Sequence, residues 1–252
     1  MQNNTSISSS STAMITGASR CVGLGFAVAR QLAEQDFHVI LAAREQNQAE
    51  VLADELRAEG LQASALRLDL ADSASIADAA ERLAGMIDHL DVLINNASAM
   101  PDFGSRSALE MDFDALRSIF EVTLFGCCAL TQALLPLLKR ASAARIVNVS
   151  SAAARHIADP QPGPLFSPAY SLAKYTLNAW TATTAAALSD TRILVNAVDP
   201  GSVATHPERG EDENDRSPAE AAKGVVWAAT LTSDGPTGGL FYDGEPVAGA
   251  SR

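Results

Sequence analysis

Tyr170-Ser171-Leu172-Ala173-Lys174 sets a phenol and an ammonium four residues apart. On a helix, those two positions share one face. A free phenol ionises near pH ~10, too high for efficient proton transfer at neutrality. A neighbouring cation favours the phenolate and lowers that value, so the pair can work as a general acid or base. With 3 tyrosines and 3 lysines in 252 residues, such spacing arises by chance only roughly 0.04 times. Tyr175 and Tyr242 have no lysine at that spacing. A second hydroxyl source, Ser150-Ser151, ends the apolar run Ile146–Val149. Alternation along a strand points one of these serines away from any site. A third segment, Thr16-Gly17-Ala18-Ser19-Arg20-Cys21-Val22-Gly23-Leu24-Gly25, joins an apolar run to a helical pattern. A glycine-rich turn there lets backbone N–H groups and a helix N-terminus face a phosphate.

These groups need elements to position them. Ala13–Ile15, His38–Ala42, Ala63–Leu68, Val92–Asn95, Ile146–Val149 and Ile193–Val198 are apolar runs that predict strands, and Gly239–Tyr242 predicts a last short one. Helical patterns cover Val22–Glu34, about Gln48–Glu59, Ser73–Met86, Phe113–Arg140 and Tyr170–Leu188. Ser73 is the expected N-cap of its helix, and Pro136 is expected to kink or end the long one. Ser217-Pro218 predicts a further helix start, with serine as cap and proline in the first turn, running to about Thr230. Strands that are continuous apolar runs, alternating with helices, predict an α/β fold. The expected architecture is a single-domain, Rossmann-type, doubly wound parallel sheet with helices on both faces. Linker-like composition near Ile157–Pro168 and Ser202–Ser217 does not divide it, so 13–252 is expected to be one domain. Residues 1–12 are polar and serine-rich, with neither the basic nor the apolar region of a targeting signal. They are expected to be a disordered lead-in. Ligands in such sheets bind beyond the carboxyl ends of the strands.

Composition narrows the function. The chain has 47% hydrophobic residues and a formal charge of −12, which suits a sizeable core and disfavours nucleic acid or anionic lipid as a partner. No apolar run approaches the ~18 residues of a membrane span. Cys21, Cys127 and Cys128 form neither a disulfide framework nor a zinc pattern. The adjacent pair is expected to be buried packing, and the reduced set fits a cytoplasmic protein.

The glycine turn resembles the TGxxxGxG motif of the short-chain dehydrogenase/reductase family. Thr16, Gly17 and Gly23 match it, and Cys21 stands at its middle glycine. Tyr170 and Lys174 match the family's YxxxK pair, and the resemblance favours Ser151 over Ser150 as its strand-end serine. Asn95-Asn96-Ala97-Ser98 resembles the NNAG segment, with Ser98 replacing glycine. Asp69-Leu70 stands where the family holds the adenine. Asp199-Pro200-Gly201-Ser202-Val203-Ala204-Thr205 resembles the PG motif that contacts the nicotinamide. Thr123 occupies the place of the tetrad asparagine. The match spans about residues 13–247.

The resemblance implies an oxidoreductase using a nicotinamide cofactor. Its cofactor residues would be Gly17, Ser19, Arg20, Cys21, Val22, Gly23, Arg44, Asp69, Leu70, Asn96, Ala97, Tyr170, Lys174, Pro200, Gly201, Val203 and Thr205. Its catalytic set would be Ser151, Tyr170, Lys174 and Thr123. NAD sites place an acid at the end of the second strand, and NADP sites offer arginine to the 2′-phosphate. Here Ala43 is followed by Arg44, and Arg20 lies in the glycine loop, so NADP(H) is expected. The C-terminal stretch Asp234–Pro246 and Ser217-Pro218-Ala219-Glu220 resemble the carbonyl-reductase-like branch. The expected reaction is NADPH-dependent reduction of a ketone or aldehyde, or the reverse alcohol oxidation. Tyr170 would donate the proton, and Lys174 would lower the Tyr170 pKa. Thr123 would support a water relay. Pteridine reduction is the alternative enzyme reading, since that branch also departs at Cys21 and Ser98. A non-catalytic NADP(H)-binding sensor is the non-enzyme alternative. Substrate would be walled by Ala99–Arg106, Ala152–Pro168 and Ser202–Arg216. Arg155–Pro168, with four prolines, would form a rigid wall or lid. The resemblance also implies a homodimer or homotetramer paired through Phe113–Arg140 and Tyr170–Leu188. The acidic run around Glu208, Glu211, Asp212 and Glu213 is expected to be a solvated face.

Overall fold

A computed structural model of the chain describes residues 11–206 and 214–247. Nearly all of the expected lead-in, and Glu208, Arg209, Glu211, Asp212 and Glu213 of the acidic run, lie outside the described residues. The strands are β1 (Thr12–Thr16), β2 (His38–Ala43), β3 (Ala63–Arg67), β4 (Val92–Asn95), β5 (Arg145–Val149), β6 (Leu194–Val198), β7 (Leu240–Tyr242) and β8 (Glu245–Pro246). The helices are α1 (Leu24–Ala33), α2 (Gln46–Ala58), α3 (Ser73–Met86), α4 (Phe113–Phe120), α5 (Cys127–Leu138), α6 (Arg155–Ala158), α7 (Pro168–Ala187) and α8 (Pro218–Ala229).

One eight-stranded sheet runs in the order β3-β2-β1-β4-β5-β6-β7-β8. Its pairs are parallel except β7 with β8, which are antiparallel. The short β8 hairpin strand was not expected from the sequence. Period-two alternation sorts the strand residues between two cores. Ala13, Ile15, Val39 and Leu41 pack with α1, α2 and α8. Met14, Ile40, Leu93 and Ile146 pack with α3, α5 and the end of α7. Strands buried on both faces explain why their sequence reads as continuous apolar runs. The strand order reverses between β1 and β4, which opens a crevice at their carboxyl ends.

Several expected boundaries move for identifiable reasons. Asp72, not Ser73, caps α3, accepting from the Ala74 N–H at 2.9 Å. Ser217 does cap α8, accepting from Glu220 N–H, with Pro218 in the first turn. The long helical stretch is not ended by Pro136, which sits inside α5 two residues before its end. The irregularity falls earlier, where Glu121–Gly126 winds as a π-helical turn between α4 and α5. Gly126 lies there against the Leu70 backbone, and a Cβ at that position would stand 2.2 Å from the Leu70 carbonyl oxygen. The Arg155–Pro168 segment begins with α6, and its last proline starts α7. Its end is bound to the 102–107 loop: Leu165 N–H donates to Arg106 O at 3.1 Å and Ser167 N–H to Ser105 O at 2.8 Å.

By length and composition alone, Phe113–Leu138 could cross a membrane, contrary to the expectation that no stretch qualifies. Leu130, Leu134, Leu137 and Leu138 instead bury one side of it against α3 and the sheet. Cys127 is buried and Cys128 half-buried, and burial pushes the Cys128 thiol up to about 11. That is the packing role expected of the pair.

Gly126→Ala would force backbone apart from backbone and is expected to cost roughly 2–4 kcal/mol. Gly85→Ala, near the end of α3 with nothing within 4 Å of the added Cβ, is expected to stabilise by roughly 0.5 kcal/mol. Urea unfolding of the two variants checks the contrast.

Candidate active site

The crevice is pinned by Thr16 at the end of β1. Its hydroxyl accepts from the N–H groups of Asn96 and Ala97, both at 3.0 Å, and donates to Ile94 O at 3.3 Å. Asn96 Nδ2 returns a bond to Thr16 O at 2.8 Å. Gly17, with φ of +71°, turns the chain away, and a Cβ there would meet the Ala97 Cα at 2.8 Å. Gly25 is equally constrained, since its Cβ would stand 2.7 Å from Asn96 Nδ2. That requirement was not singled out in the sequence. Cys21 is exposed and is not among the residues with positive φ. A side chain at the family's middle glycine position therefore strains nothing in the backbone.

Gly23 precedes α1 in extended conformation, with no side-chain cap and no acidic residue in the first turn. The N–H groups at this helix start are thus left for an anion, which fits a dinucleotide pyrophosphate. Arg20 in the loop and Arg44 just after β2 are both exposed. Ser19 is half-buried and Val22 exposed in the same loop. The Asp69 carboxylate accepts from Ala71 N–H at 3.0 Å. Leu70 is buried, beside Gly126.

At the end of β5 the two serines part. Ser150 is buried and donates to Asn178 Oδ1 at 2.6 Å. Ser151 accepts from Ala153 N–H at 3.2 Å, and its hydroxyl acts on the Tyr170 phenol. Residue alternation left this choice open; here Ser150 is bound to Asn178 on α7, while Ser151 acts on Tyr170. Lys174 is 2% exposed and donates to Val149 O at 2.6 Å. Its Nζ stands over the Tyr170 ring, 5.5 Å from the centroid.

The electrostatics correct one expectation. Burial pushes the phenol of Tyr170 above its ordinary value, the Ser151 hydroxyl opposes this, and Asp199 and Asp102 add to the rise. Lys174 does not bring it below the ordinary range. Its ammonium lies over the ring face, and burial pulls its own pKa down to about 8. Thr123, in the π turn, is 2% exposed and shares a hydrogen bond with Ser98 at 3.1 Å.

Below the site, Asn95 Nδ2 donates to Asn148 Oδ1 at 2.9 Å, and Asn148 Nδ2 to Thr181 Oγ1 at 2.8 Å. This ties β4, β5 and α7 together, a bracing role for Asn95. Above it, Asp102 reaches the start of α7, where its carboxylate accepts from Ala169 N–H at 2.8 Å and Tyr170 N–H at 3.4 Å. Asp199, at the end of β6, accepts from Gly201 N–H at 3.0 Å and from Arg155 at 2.6 Å. Gly201 takes φ of +75°. Pro200 O accepts from Arg216 at 3.2 Å, Val203 bridges to Arg216, and Thr205 pairs with His206. Asn178 was not expected at the site, and Asp102, Arg155 and Asp199 were expected only within the wall segments and the Pro200–Gly201 motif, with no individual role.

A dinucleotide-type crevice with a serine–tyrosine–lysine set at its rim defines a Rossmann-type oxidoreductase. The family model for short chain dehydrogenases matches residues 11–216. The chain is 34% identical over 239 residues to the uncharacterized oxidoreductase YohF of Escherichia coli (strain K12), covering 88% of this chain and 90% of that protein. A putative short chain dehydrogenase from Escherichia coli CFT073 superposes with a TM-score of 0.80 at 26% identity, over 94% of this chain and 96% of the other. A metagenomic short-chain oxidoreductase, solved in complex with NADP, superposes with a TM-score of 0.75 at 26% identity, over 94% of this chain and 97% of that one. The chain belongs to the short-chain dehydrogenase/reductase family, oxidoreductases that use a nicotinamide cofactor.

Lys174 gives a stability signature. Its ammonium titrates at about 8 in the fold against 10.5 for the free group. The unfolded chain therefore holds more protons between those values, and stability rises with pH across that window. Relative to Lys174→Met, the wild type is expected to gain up to about 3 kcal/mol between pH 7 and pH 11. Denaturant unfolding of both proteins across that range checks it.

Proposed function

We propose that the protein is an NADPH-dependent reductase of a ketone or aldehyde, working reversibly on the corresponding alcohol. The observation that carries this reading is the Ser151 hydroxyl acting on the Tyr170 phenol beside the buried Lys174, whose Nζ stands 5.5 Å from the Tyr170 ring centroid. A bound nicotinamide would supply the hydride. Tyr170 gives its phenolic proton to the carbonyl oxygen, and Ser151 donates a hydrogen bond to the same oxygen. The Ala153 N–H holds the Ser151 lone pair, which leaves the hydroxyl proton free to donate. Lys174 holds the nicotinamide ribose and stands over the Tyr170 ring. Thr123, joined to Ser98, supports a water path for proton resupply.

Arg44 and Arg20 would take the 2′-phosphate, in a chain with 18 basic against 30 acidic residues. The glycine loop with Ser19, Cys21 and Val22 would hold the pyrophosphate, and Asp69 and Leu70 the adenine. Asn96, Ala97, Pro200, Gly201, Val203 and Thr205 would frame the nicotinamide half. We further assign residues 13–252 to one domain acting in the cytoplasm, with a small carbonyl or alcohol compound as its substrate. It would act as a homodimer or homotetramer. Phe113 at 65% exposure and Phe125 at 56%, on the α4–α5 stretch, with Tyr175 on α7 at 42%, offer apolar surface for a second copy.

Two expected outcomes test this. Tyr170→Phe should lower kcat for carbonyl reduction by about 10²–10⁴-fold while NADPH still binds in a fluorescence titration. Substantial residual turnover would remove Tyr170 from the mechanism. Arg44→Asp should reduce the NADPH-over-NADH ratio of kcat/KM by roughly 10–100-fold. An unchanged ratio would overturn the cofactor assignment. The upward-shifted phenol also sets a pH direction. The protonated form needed for reduction persists through neutral pH, whereas alcohol oxidation should keep accelerating into the alkaline range.

A further inference from the structure

Asp199 is a carboxylate with no side-chain exposure at the edge of the candidate site. Two groups satisfy it: the Gly201 N–H at 3.0 Å and Arg155 Nη2 at 2.6 Å. Arg155 begins α6, four residues after Ser151, and its side chain is 49% exposed. The pair therefore spans two strand ends. One end leads through the Ser151 turn after β5, and the other through the Pro200–Gly201 turn after β6. Ser151 from the first turn and Asp199 from the second both act on the Tyr170 phenol.

We propose that Arg155 is a positioning residue, acting through Asp199 to lock the serine-bearing turn to the Pro200–Gly201 turn and to neutralise a buried carboxylate close to the Tyr170 phenol. This rests on the reading of Tyr170 as the proton donor.

Elementary electrostatics gives the sign. A carboxylate withdrawn from water and lying near a phenol opposes formation of the phenolate. Asp199 acts on Tyr170 in this sense, and so does Asp102 from the 102–107 loop. The Ser151 hydroxyl opposes them, and Lys174 lies over the ring. Cys127 from α5 acts on Lys174, not directly on the phenol. On the far side, Arg216 reaches Pro200 O and Asp243, and Tyr242 packs against Gly201. Asp102 spends its carboxylate on the N-terminus of α7, accepting from the Ala169 and Tyr170 N–H groups. Asp199 has Arg155. Removing that cation leaves a buried charge with one backbone donor, and the field it exerts on Tyr170 increases.

The test reads phenol ionisation without turnover. The full-length protein is produced with 3,5-difluorotyrosine, whose phenol ionises at lower pH than tyrosine, and each tyrosine is followed by fluorine NMR. Tyr170→Phe assigns the Tyr170 signal. Arg155→Gln is expected to raise the Tyr170 midpoint by roughly half a unit to one unit. Arg155→Lys should restore most of that shift. Arg155→Gln combined with Asp199→Asn should titrate at or below the wild-type midpoint, because the charge being compensated is gone. A midpoint for Arg155→Gln within about 0.2 units of wild type, or a rise that persists in the double variant, would overturn the proposal. If Arg155→Gln does not fold, Asp199→Asn decides alone. A lower midpoint supports the assignment, and an unchanged one removes it. Loss of carbonyl reduction in every protein, including the wild type, would sink the catalytic reading while leaving this titration interpretable.

Discussion

The Lys174 ammonium is held out of water by a single short bond to the Val149 carbonyl. A buried charge without a paired carboxylate is costly, by several kcal/mol in ordinary proteins. The surroundings answer that cost by position. Val149 is the last residue of β5, one past the Asn148–Asn95 pair; β6 pairs it with Val198, while β4 has already ended on its other side. The ammonium also overlies an aromatic ring, which returns part of the lost hydration. The cation that results titrates near 8, within reach of physiological pH, as no solvated lysine does.

Everything that fixes Lys174 also fixes Tyr170, because both ride on α7. That helix is held at three levels. Thr181 accepts from Asn148 in the core, Asn178 accepts from Ser150 at the strand end, and Asp102 caps the first turn from a distant loop. The last contact replaces a local cap. Ser167 precedes the helix in left-handed conformation, with φ of 44°, and its side chain caps nothing. Its own N–H and hydroxyl are instead bound to the 102–107 loop, at Ser105 O and Asp102 O. Two of the three segments expected to wall the substrate are therefore bonded to each other and anchored to α7. A shift in that wall would be felt at Tyr170.

The sheet was legible in the chain because strands covered on both faces must be apolar throughout, and no other element here has that pattern. The Tyr170–Lys174 spacing and the glycine loop were legible because their chemistry needs residue types at fixed intervals. What was hidden depends on contacts across the chain. The π turn at Glu121–Gly126 lies where Gly126 meets the Leu70 backbone, and nothing local to Glu121–Gly126 announces that. Pro136, the local signal, fell so near the end of α5 that it marked little. The phenol shift was expected with the wrong sign, because spacing reveals a neighbouring cation but not the burial that outweighs it. Asp102 and Arg155 were expected only as parts of the substrate wall and Asp199 only as the head of the Pro200–Gly201 motif, and their individual contacts were hidden for a plainer reason. In a chain with 30 acidic residues, no single carboxylate stands out until the fold removes it from water.

The three departures from the family pattern are best understood together. Cys21 replaces a glycine where the backbone adopts no conformation reserved for glycine, while Gly17 and Gly25 remain where a Cβ would collide. Ser98 and Thr123, each a departure by itself, meet at 3.1 Å. An asparagine offers a carbonyl and an amide on one side chain. Two hydroxyls, one from the end of β4 and one from the π turn, offer paired donors and acceptors at the same edge of the crevice. Each substitution makes physical sense only with the other. Alone, the short Thr123 side chain would leave a buried hydroxyl in need of a partner, and burial without a partner is what proteins avoid most consistently.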